Sequence, residues 1–242
     1  MIKRVLDIVF SFFGLLAVSP ILLPVMFLVW KQDKGSPLYI APRVGRHEKI
    51  FRMIKLRSMV VNADKNGVDS TGANDIRITS IGHFIRNYKL DELTQLWNVL
   101  TGGMSLVGPR PNVKNETDLY TNVERNLLSV RPGITDFSSI VFSDEGEILK
   151  RESDPDLAYN QLIRPWKSRL GLVYIDNQST VLDLKLVFYT VVAIFSKQKA
   201  LNWVTLEMKK LKVDSSIVDI CKRDVKLYPF PPPGSDQIIS KR

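Results

Sequence analysis

The chain has a single cysteine, Cys221, and only two histidines, His47 and His83, among 242 residues. One cysteine excludes an internal disulfide, which suits a reducing cytoplasm. Two histidines far apart, with no cysteine beside either, argue against a zinc site. Internal repeats and long low-complexity tracts are absent, so a repeat array is excluded. Acidic residues are outnumbered, 25 against 34 basic ones, leaving a net charge of +9. That surplus calls for an anionic counterpart, which nucleic acid, anionic lipid and a phosphorylated substrate would each supply. With 45% hydrophobic and 24% charged residues, the composition is that of a folded protein with one sizeable core and a small appendage.

Polar residues are also scarce near the N-terminus. Over residues 5–30, 20 of 26 are apolar, the exceptions being Asp7, Ser11, Gly14, Ser19, Pro20 and Pro24. The length suffices to cross a bilayer. A cleaved signal peptide fits the basic start at Lys3 and Arg4 and the Ala17-Val18-Ser19 tripeptide. It does not fit Pro20 directly after, or the apolar sequence that continues to Trp30. A kinked spanning helix is the second rival. Lys3 and Arg4 precede the segment and Lys31 and Lys34 follow it, so the positive-inside rule puts both flanks on the cytoplasmic side. The preferred reading is a segment that enters and returns, turning at Ser19-Pro20. Proline removes a helix hydrogen bond, and the serine hydroxyl can satisfy a carbonyl left free nearby. Asp7 is tolerable only near the cytoplasmic end, since at mid-bilayer it costs roughly 2.5–3.5 kcal/mol.

Beyond Gly35-Ser36-Pro37 the pattern becomes that of a soluble body. Residues 38–40 and 49–54 read as short strands around a basic turn, Arg43-Val44-Gly45-Arg46. Lys55 and Arg57 share one face if the chain is extended there. Residues 62–74, polar and glycine-containing, read as a loop. Ile81, Phe84, Ile85 and Tyr88 have helical spacing. A second helix follows, with Leu93, Leu96, Trp97 and Leu100 on one face and Asp91, Thr94, Gln95 and Asn98 on the other. Glu92 sits at the boundary. Asp91 therefore heads a polar stripe in the first turn, where the helix dipole favours an ionised carboxylate or a bound anion. Such a start is more often only a cap. Its setting argues for more: Arg110 lies between Pro109 and Pro111, which hold the chain extended and present a guanidinium suited to bidentate phosphate binding.

These features, taken in order, resemble one family. They are the basic start with Asp7, Ser19-Pro20, Arg43-Val44-Gly45, Lys55-Leu56-Arg57-Ser58-Met59 and Asp75-Ile76-Arg77-Ile78-Thr79. Then come Leu90-Asp91-Glu92-Leu93-Thr94-Gln95-Leu96-Trp97-Asn98-Val99, Ser105-Leu106-Val107-Gly108-Pro109-Arg110-Pro111 and Arg131-Pro132-Gly133-Ile134-Thr135. The family is the monotopic phosphoglycosyl transferases, also called bacterial sugar transferases, and the resemblance covers about residues 1–200. It implies a re-entrant helix-break-helix in the cytoplasmic leaflet of the bacterial inner membrane and transfer of a sugar-1-phosphate from a UDP-sugar to polyprenyl (undecaprenyl) phosphate, with release of UMP. By motif position, Asp91 would be the nucleophile of a phosphosugar-aspartyl intermediate. Glu92, with Asp91, would help hold Mg²⁺, and Lys55, Arg86 and Arg110 would contact phosphates. The chemistry is coherent: a carboxylate accepts a phosphoryl group when cations offset the incoming charge. Mg²⁺ also needs only one or two carboxylates beside phosphate and water.

The sequence departs from the family pattern at Asp136-Phe137-Ser138-Ser139-Ile140-Val141-Phe142 and at Lys89, where a small hydroxyl residue is frequent. The expected fold is α+β and mostly helical. Residues 1–34 form the membrane element, residues 35–200 a catalytic domain with short strands and interfacial helices, and residues 201–242 an extension. Residues 181–197 read equally as an interfacial amphipathic helix or as core, and Trp166 and Tyr174 as headgroup-level or core aromatics. The extension, basic and then proline-rich, is open between docking on the body, on membrane lipid or on a second subunit of a homodimer. Two other functions are weighed against the transferase. A basic membrane-anchored anion-binding module, nucleic acid included, needs no carboxylates, whereas here the basic residues fall in motifs beside Asp91-Glu92. A membrane phosphatase shares the aspartyl-phosphate logic but uses water as acceptor.

Overall fold

The structure, a computed structural model, describes residues 2–63, 75–150 and 152–240. Most of the expected loop at 62–74 thus lies outside the described residues. The apolar N-terminal run forms one helix, α1, Ile2–Asp33, with Pro20 and Pro24 inside it. It is long and apolar enough to cross a membrane by length and composition. The expected break at Ser19-Pro20 is therefore not an interruption of the helix. Proline at position 20 leaves the Leu16 carbonyl without its amide donor, and the Ser19 hydroxyl fills that vacancy at 2.8 Å.

One stripe of α1 faces the protein along its whole length: Asp7, Ser11, Leu22, Val25 and Val29 are buried. Gly14, between them, lies against Leu96 (a Cβ there would sit 3.2 Å from its Cδ1). Leu22, Val25 and Val29 pack with Leu56, Ile85 and Leu90. The opposite face, including Phe10, Phe13, Leu16, Leu23 and Phe27, is exposed. The first turn is bolted down by polar contacts. Arg4 donates to the Val99 and Leu100 carbonyls at 2.6 and 3.0 Å. Lys3 donates to the Val107 carbonyl, the Tyr174 hydroxyl and Asp183. Asp7 accepts from the Ser105 hydroxyl and the Leu106 amide at 3.1 and 3.0 Å, which removes the desolvation cost of a buried carboxylate. At the other end Arg57 grips both oxygens of Asp33 at 2.5 and 2.7 Å.

Strands β1, Leu38–Val44, and β2, Ile50–Leu56, form an antiparallel hairpin. They are longer than the sequence suggested because the basic motif residues continue the ladder, Arg43 opposite Phe51 and Lys55 opposite Tyr39. The turn falls at Arg46–Glu48, where His47 and Glu48 have positive φ. Helix α2, Ser80–Asn87, is capped by Thr79, as its spacing predicted. The single helix expected from Asp91 to Leu100 is instead split into α3, Leu90–Leu93, and α4, Leu96–Thr101. Its polar stripe points inward, the reverse of a solvated face. The Asn98 amide accepts from Ile54 N at 2.8 Å and donates to Arg52 O at 2.7 Å, and the Thr94 hydroxyl donates to Ile54 O. Side chains thus take the place of a third strand on the open edge of β2. Trp97, on the apolar face, is 52% exposed.

Strand β3, Ser105–Val107, pairs in parallel with β4, Gly133–Thr135. The connection carries α5, Lys114–Thr117, and a 3-10 segment, Glu124–Ser129. Short helices α6, Phe137–Val141, α7, Glu145–Leu149, and α8, Pro155–Ala158, follow. A π-helical turn, Tyr159–Ile163, then leads into α9, Arg164–Asn177. Helices α10, Thr180–Phe195, α11, Lys197–Lys210, and α12, Ser215–Lys222, complete the chain. The main core joins α6, α9 and α10 to α11 and α12 through Phe137, Leu170, Leu186, Leu201, Val204 and Cys221. Residues beyond 201 are therefore part of the same core. Trp166 and Tyr174 are core residues, 6% and 1% exposed. Helix α10 divides between the two readings of residues 181–197. Leu182 and Leu186 are buried, while Val181, Leu184, Phe188, Val191 and Phe195 are exposed.

Candidate active site

Two sequence motifs far apart in the chain meet where β3 and β4 end. Gly108 N donates to Thr135 O, and Gly133 N donates to Pro109 O, both at 2.9 Å. A Cβ on Gly133 would stand 2.1 Å from Gly108 N, so only glycine permits this approach. The crossing places Arg110, just past β3, beside β4, where its Nη1 donates to Ile134 O at 2.8 Å. Val44 N donates to Asn112 O at 3.0 Å, which brings the Arg43-Val44-Gly45 motif to the same place.

Arg110 holds Glu92 with both guanidinium nitrogens, at 3.1 and 2.9 Å. Burial opposes ionisation of Glu92, but the charges of Arg110, Lys55 and Lys89 outweigh it and bring its carboxyl down to about 2. Asp91 differs from its neighbour. Among the described residues no hydrogen bond engages its carboxylate, and burial pushes its pKa up, with Lys55 pulling the other way. The two carboxylates thus divide: one is paired and firmly ionised, the other has free oxygens. Burial lowers the Lys55 pKa against the attraction of Asp91 and Glu92. It also lowers that of Arg86, on which Asp91 acts electrostatically as well. Arg86 is oriented by its Nε, which donates to the Ser58 hydroxyl at 3.1 Å.

The structure therefore brings together Asp91, Glu92, Lys55, Arg86 and Arg110. Ser19 and Pro20 lie apart, in the middle of α1. The helix-dipole argument for Asp91 gives way, because α3 is a single turn; cationic side chains supply the field instead. Arg57, expected on one face with Lys55, lies just past β2 and serves as the anchor of α1. Lys89, whose role the sequence left open, has φ 55 and begins α3. Its left-handed backbone turns the chain so that Leu90 enters the core while Asp91 and Glu92 face the cations. Its Nζ donates to Ser143 O at 3.3 Å.

Sequence reasoning missed the β3–β4 pairing, since three-residue strands carry too little periodicity. It also missed Asp136, whose carboxylate caps α6 by accepting from Ser139 N at 2.7 Å and acts electrostatically on Arg110. An Asp three residues before Ser, at the head of an apolar run, is a signal that could have revealed that cap.

As to metal, no group of three or more His, Cys, Asp or Glu side chains converges among the described residues. The donor set at hand is Asp91 with the remaining lone pairs of Glu92. This set fits Mg²⁺, which binds one or two carboxylates and completes its shell with water and phosphate oxygens, and does not fit zinc.

The chain is similar to known proteins over most of its length. The profile described as bacterial sugar transferase matches residues 1–197. The UDP-glucose:undecaprenyl-phosphate glucose-1-phosphate transferase of Klebsiella pneumoniae is 35% identical over 205 residues, covering 82% of this chain and 41% of that protein. The undecaprenyl-phosphate galactose phosphotransferase of Salmonella typhimurium is 41% identical over 149 residues, covering 55% of this chain and 31% of that protein. The chain thus spans less than half the length of these two relatives. The exopolysaccharide production protein ExoY of Sinorhizobium fredii is 32% identical over 207 residues, covering 79% of this chain and 84% of that protein. With its profile match extending over most of its length, this chain belongs to the bacterial sugar transferase family.

Proposed function

We propose that this chain transfers a sugar-1-phosphate from a UDP-sugar to polyprenyl phosphate, through a covalent intermediate on Asp91. The observation that carries this reading is the division of the carboxylates. Asp91 has unengaged oxygens under the charge of Lys55 and Arg86, as a carboxylate nucleophile attacking an anionic diphosphate requires, while Glu92 is held by Arg110. An Asp91 oxygen attacks the sugar-bearing phosphorus, the bond between that phosphorus and the bridging oxygen breaks, and UMP leaves. A phosphate oxygen of the acceptor then attacks the same phosphorus, the bond to Asp91 breaks, and the carboxylate is restored. Lys55, Arg86 and Arg110 bind the diphosphate oxygens and stabilise charge as it shifts to the leaving UMP. Asp91 and Glu92 would hold Mg²⁺ with the donor phosphates, and the ion, when bound, neutralises charge on the diphosphate.

The acceptor's lipid tail accounts for α1. An ideal 32-residue helix is about 48 Å long, more than the roughly 30 Å hydrocarbon core. Yet both its ends are tied to one folded body, by Arg4 and Asp7 at the start and by Asp33 at the finish. A helix fastened this way keeps both ends on one side of the membrane, which supports a monotopic placement, and the flanking Lys3, Arg4, Lys31 and Lys34 favour the cytoplasmic face. The exposed apolar stripes of α1 and α10 and Trp97 then meet lipid.

The test is covalent labelling and UMP release with UDP-sugars and undecaprenyl phosphate in nanodiscs. Asp91→Asn is expected to abolish both, and EDTA to stop turnover. Wild-type labelling of Asp91→Asn removes Asp91 as nucleophile, and full turnover in EDTA removes the metal.

A further inference from the structure

Residues 227–240 lie beyond the span matched by the family profile, yet they are pinned at several points to two neighbouring segments. The first segment is the π-helical turn with α9. Phe230 N donates to Gln161 O at 3.0 Å, and its ring stacks on Trp166 with centroids 4.5 Å apart. The Arg169 guanidinium lies 4.8 Å from the Phe230 ring and donates to Pro231 O at 2.9 Å. Gln161 in turn donates to Ile239 O at 2.7 Å. The second segment precedes the 3-10 turn: the Thr121 hydroxyl donates to Pro233 O at 2.5 Å. Gly234 sits so close that a Cβ there would be 2.5 Å from Val123 Cγ2, at a φ of +82.

Both pinned segments have a second face. Tyr120 from one, and Tyr159 and Lys167 from the other, line a small cavity together with Arg110 and Asp136. The segments are also joined internally. Arg164, 1% exposed, donates to Glu124, 0% exposed, at 3.0 and 2.5 Å, and the Ser168 hydroxyl donates to the same carboxylate at 2.7 Å. The wall beside Arg110 is therefore held from within by a buried ion pair and from outside by residues 227–240. Among the described residues, none of the hydrogen bonds or ring contacts of 227–240 reaches Asp91, Glu92 or Lys55.

We propose that residues 227–240 are a clasp that fixes this wall and so sets affinity for the donor's nucleoside diphosphate, with Phe230 as a positioning residue. The proposal rests on the transferase reading of the site. Because Arg110 itself is anchored by Glu92 and Ile134 O, and the clasp bears on the segments across the cavity from it, loosening the clasp weakens donor binding and spares the chemical step.

The experiment uses the full chain in nanodiscs, with UMP release measured against UDP-sugar concentration at saturating undecaprenyl phosphate. Phe230→Ala and Gly234→Ala are expected to raise the donor KM about tenfold, with kcat within about twofold of wild type. Phe230→Tyr, which keeps the stacked ring, is expected to retain the wild-type KM. Where Phe230→Ala does not fold by near-ultraviolet circular dichroism, Arg169→Gln, which keeps the stack and weakens the hold on Pro231, carries the same expectation. Wild-type KM in folded Gly234→Ala or Arg169→Gln, or a fall in kcat at constant KM, overturns the clasp alone. A wild-type chain that turns over no UDP-sugar overturns the transferase reading and the clasp's donor role with it.

Discussion

Replacing Glu92 by glutamine removes one charge and almost no volume, so its effect reads the ionic contacts of that carboxylate, Arg110 foremost. A carboxyl brought from 4.5 to about 2 corresponds, at about 1.4 kcal/mol per pH unit, to roughly 3 kcal/mol of folded-state stabilisation at neutral pH. The partners' side chains are 22% and 25% exposed, so solvent screens the pair and about 1–2 kcal/mol is the working figure. Because the folded carboxyl titrates below its ordinary value of 4.5, this contribution is complete above that pH. It disappears as pH falls toward about 2. For a chain of this size, 1–2 kcal/mol lowers the melting temperature by about 2–8 °C. Thermal unfolding of both proteins followed by tryptophan fluorescence, in one detergent, tests this. The gap is expected to be full at pH 7 and to narrow steadily below pH 4.5. A gap that is absent at pH 7, or that stays constant down to pH 3, would refute the pairing as the source of Glu92's ionisation.

Two further outcomes follow from the geometry. Gly133→Ala puts a Cβ 2.1 Å from Gly108 N, and the strain is expected to exceed about 3 kcal/mol and prevent β3–β4 pairing; a folded variant with native near-ultraviolet circular dichroism would sink the close crossing. Single cysteines at Ile2 and at Lys34 are expected to be labelled by an impermeant maleimide from the cytoplasmic side alone, because both ends of α1 are tied to one body. Labelling of either from the periplasm sinks the monotopic placement.

Much of the site was legible because its residues fall in short, ordered motifs. Asp91-Glu92 and Pro109-Arg110-Pro111 could each be read for charge, spacing and backbone restriction, and the structure brings Arg110 onto Glu92. The helical wheel grouped Thr94, Gln95 and Asn98 correctly, but it could not say which face turns inward. A polar stripe seals a strand edge as readily as it meets water, and only the position of β2 decides between the two. The flanking basic residues were equally ambiguous. Lys3 and Arg4 read as topology signals, and in the fold they also satisfy carbonyls at the ends of α4 and β3. At Ser19-Pro20 the serine hydroxyl does satisfy a nearby carbonyl, as expected, but that bond, to Leu16 O, lets the helix continue where a break was expected.

What the amino-acid sequence determined by itself is local: the apolar run, the prolines around Arg110, the adjacent carboxylates, and the need for an anionic partner. These depend on periodicity, backbone restriction and charge, which neighbours in the chain settle among themselves. Tertiary structure alone decided which carboxylate is paired. It takes the Gly108–Gly133 crossing to set Arg110 against Glu92, and a left-handed Lys89 to leave Asp91 unengaged. It alone also fastened both ends of α1 to one body and folded residues 227–240 behind the Arg110 wall. Contacts between residues tens or hundreds of positions apart are set by packing, and no local pattern records them.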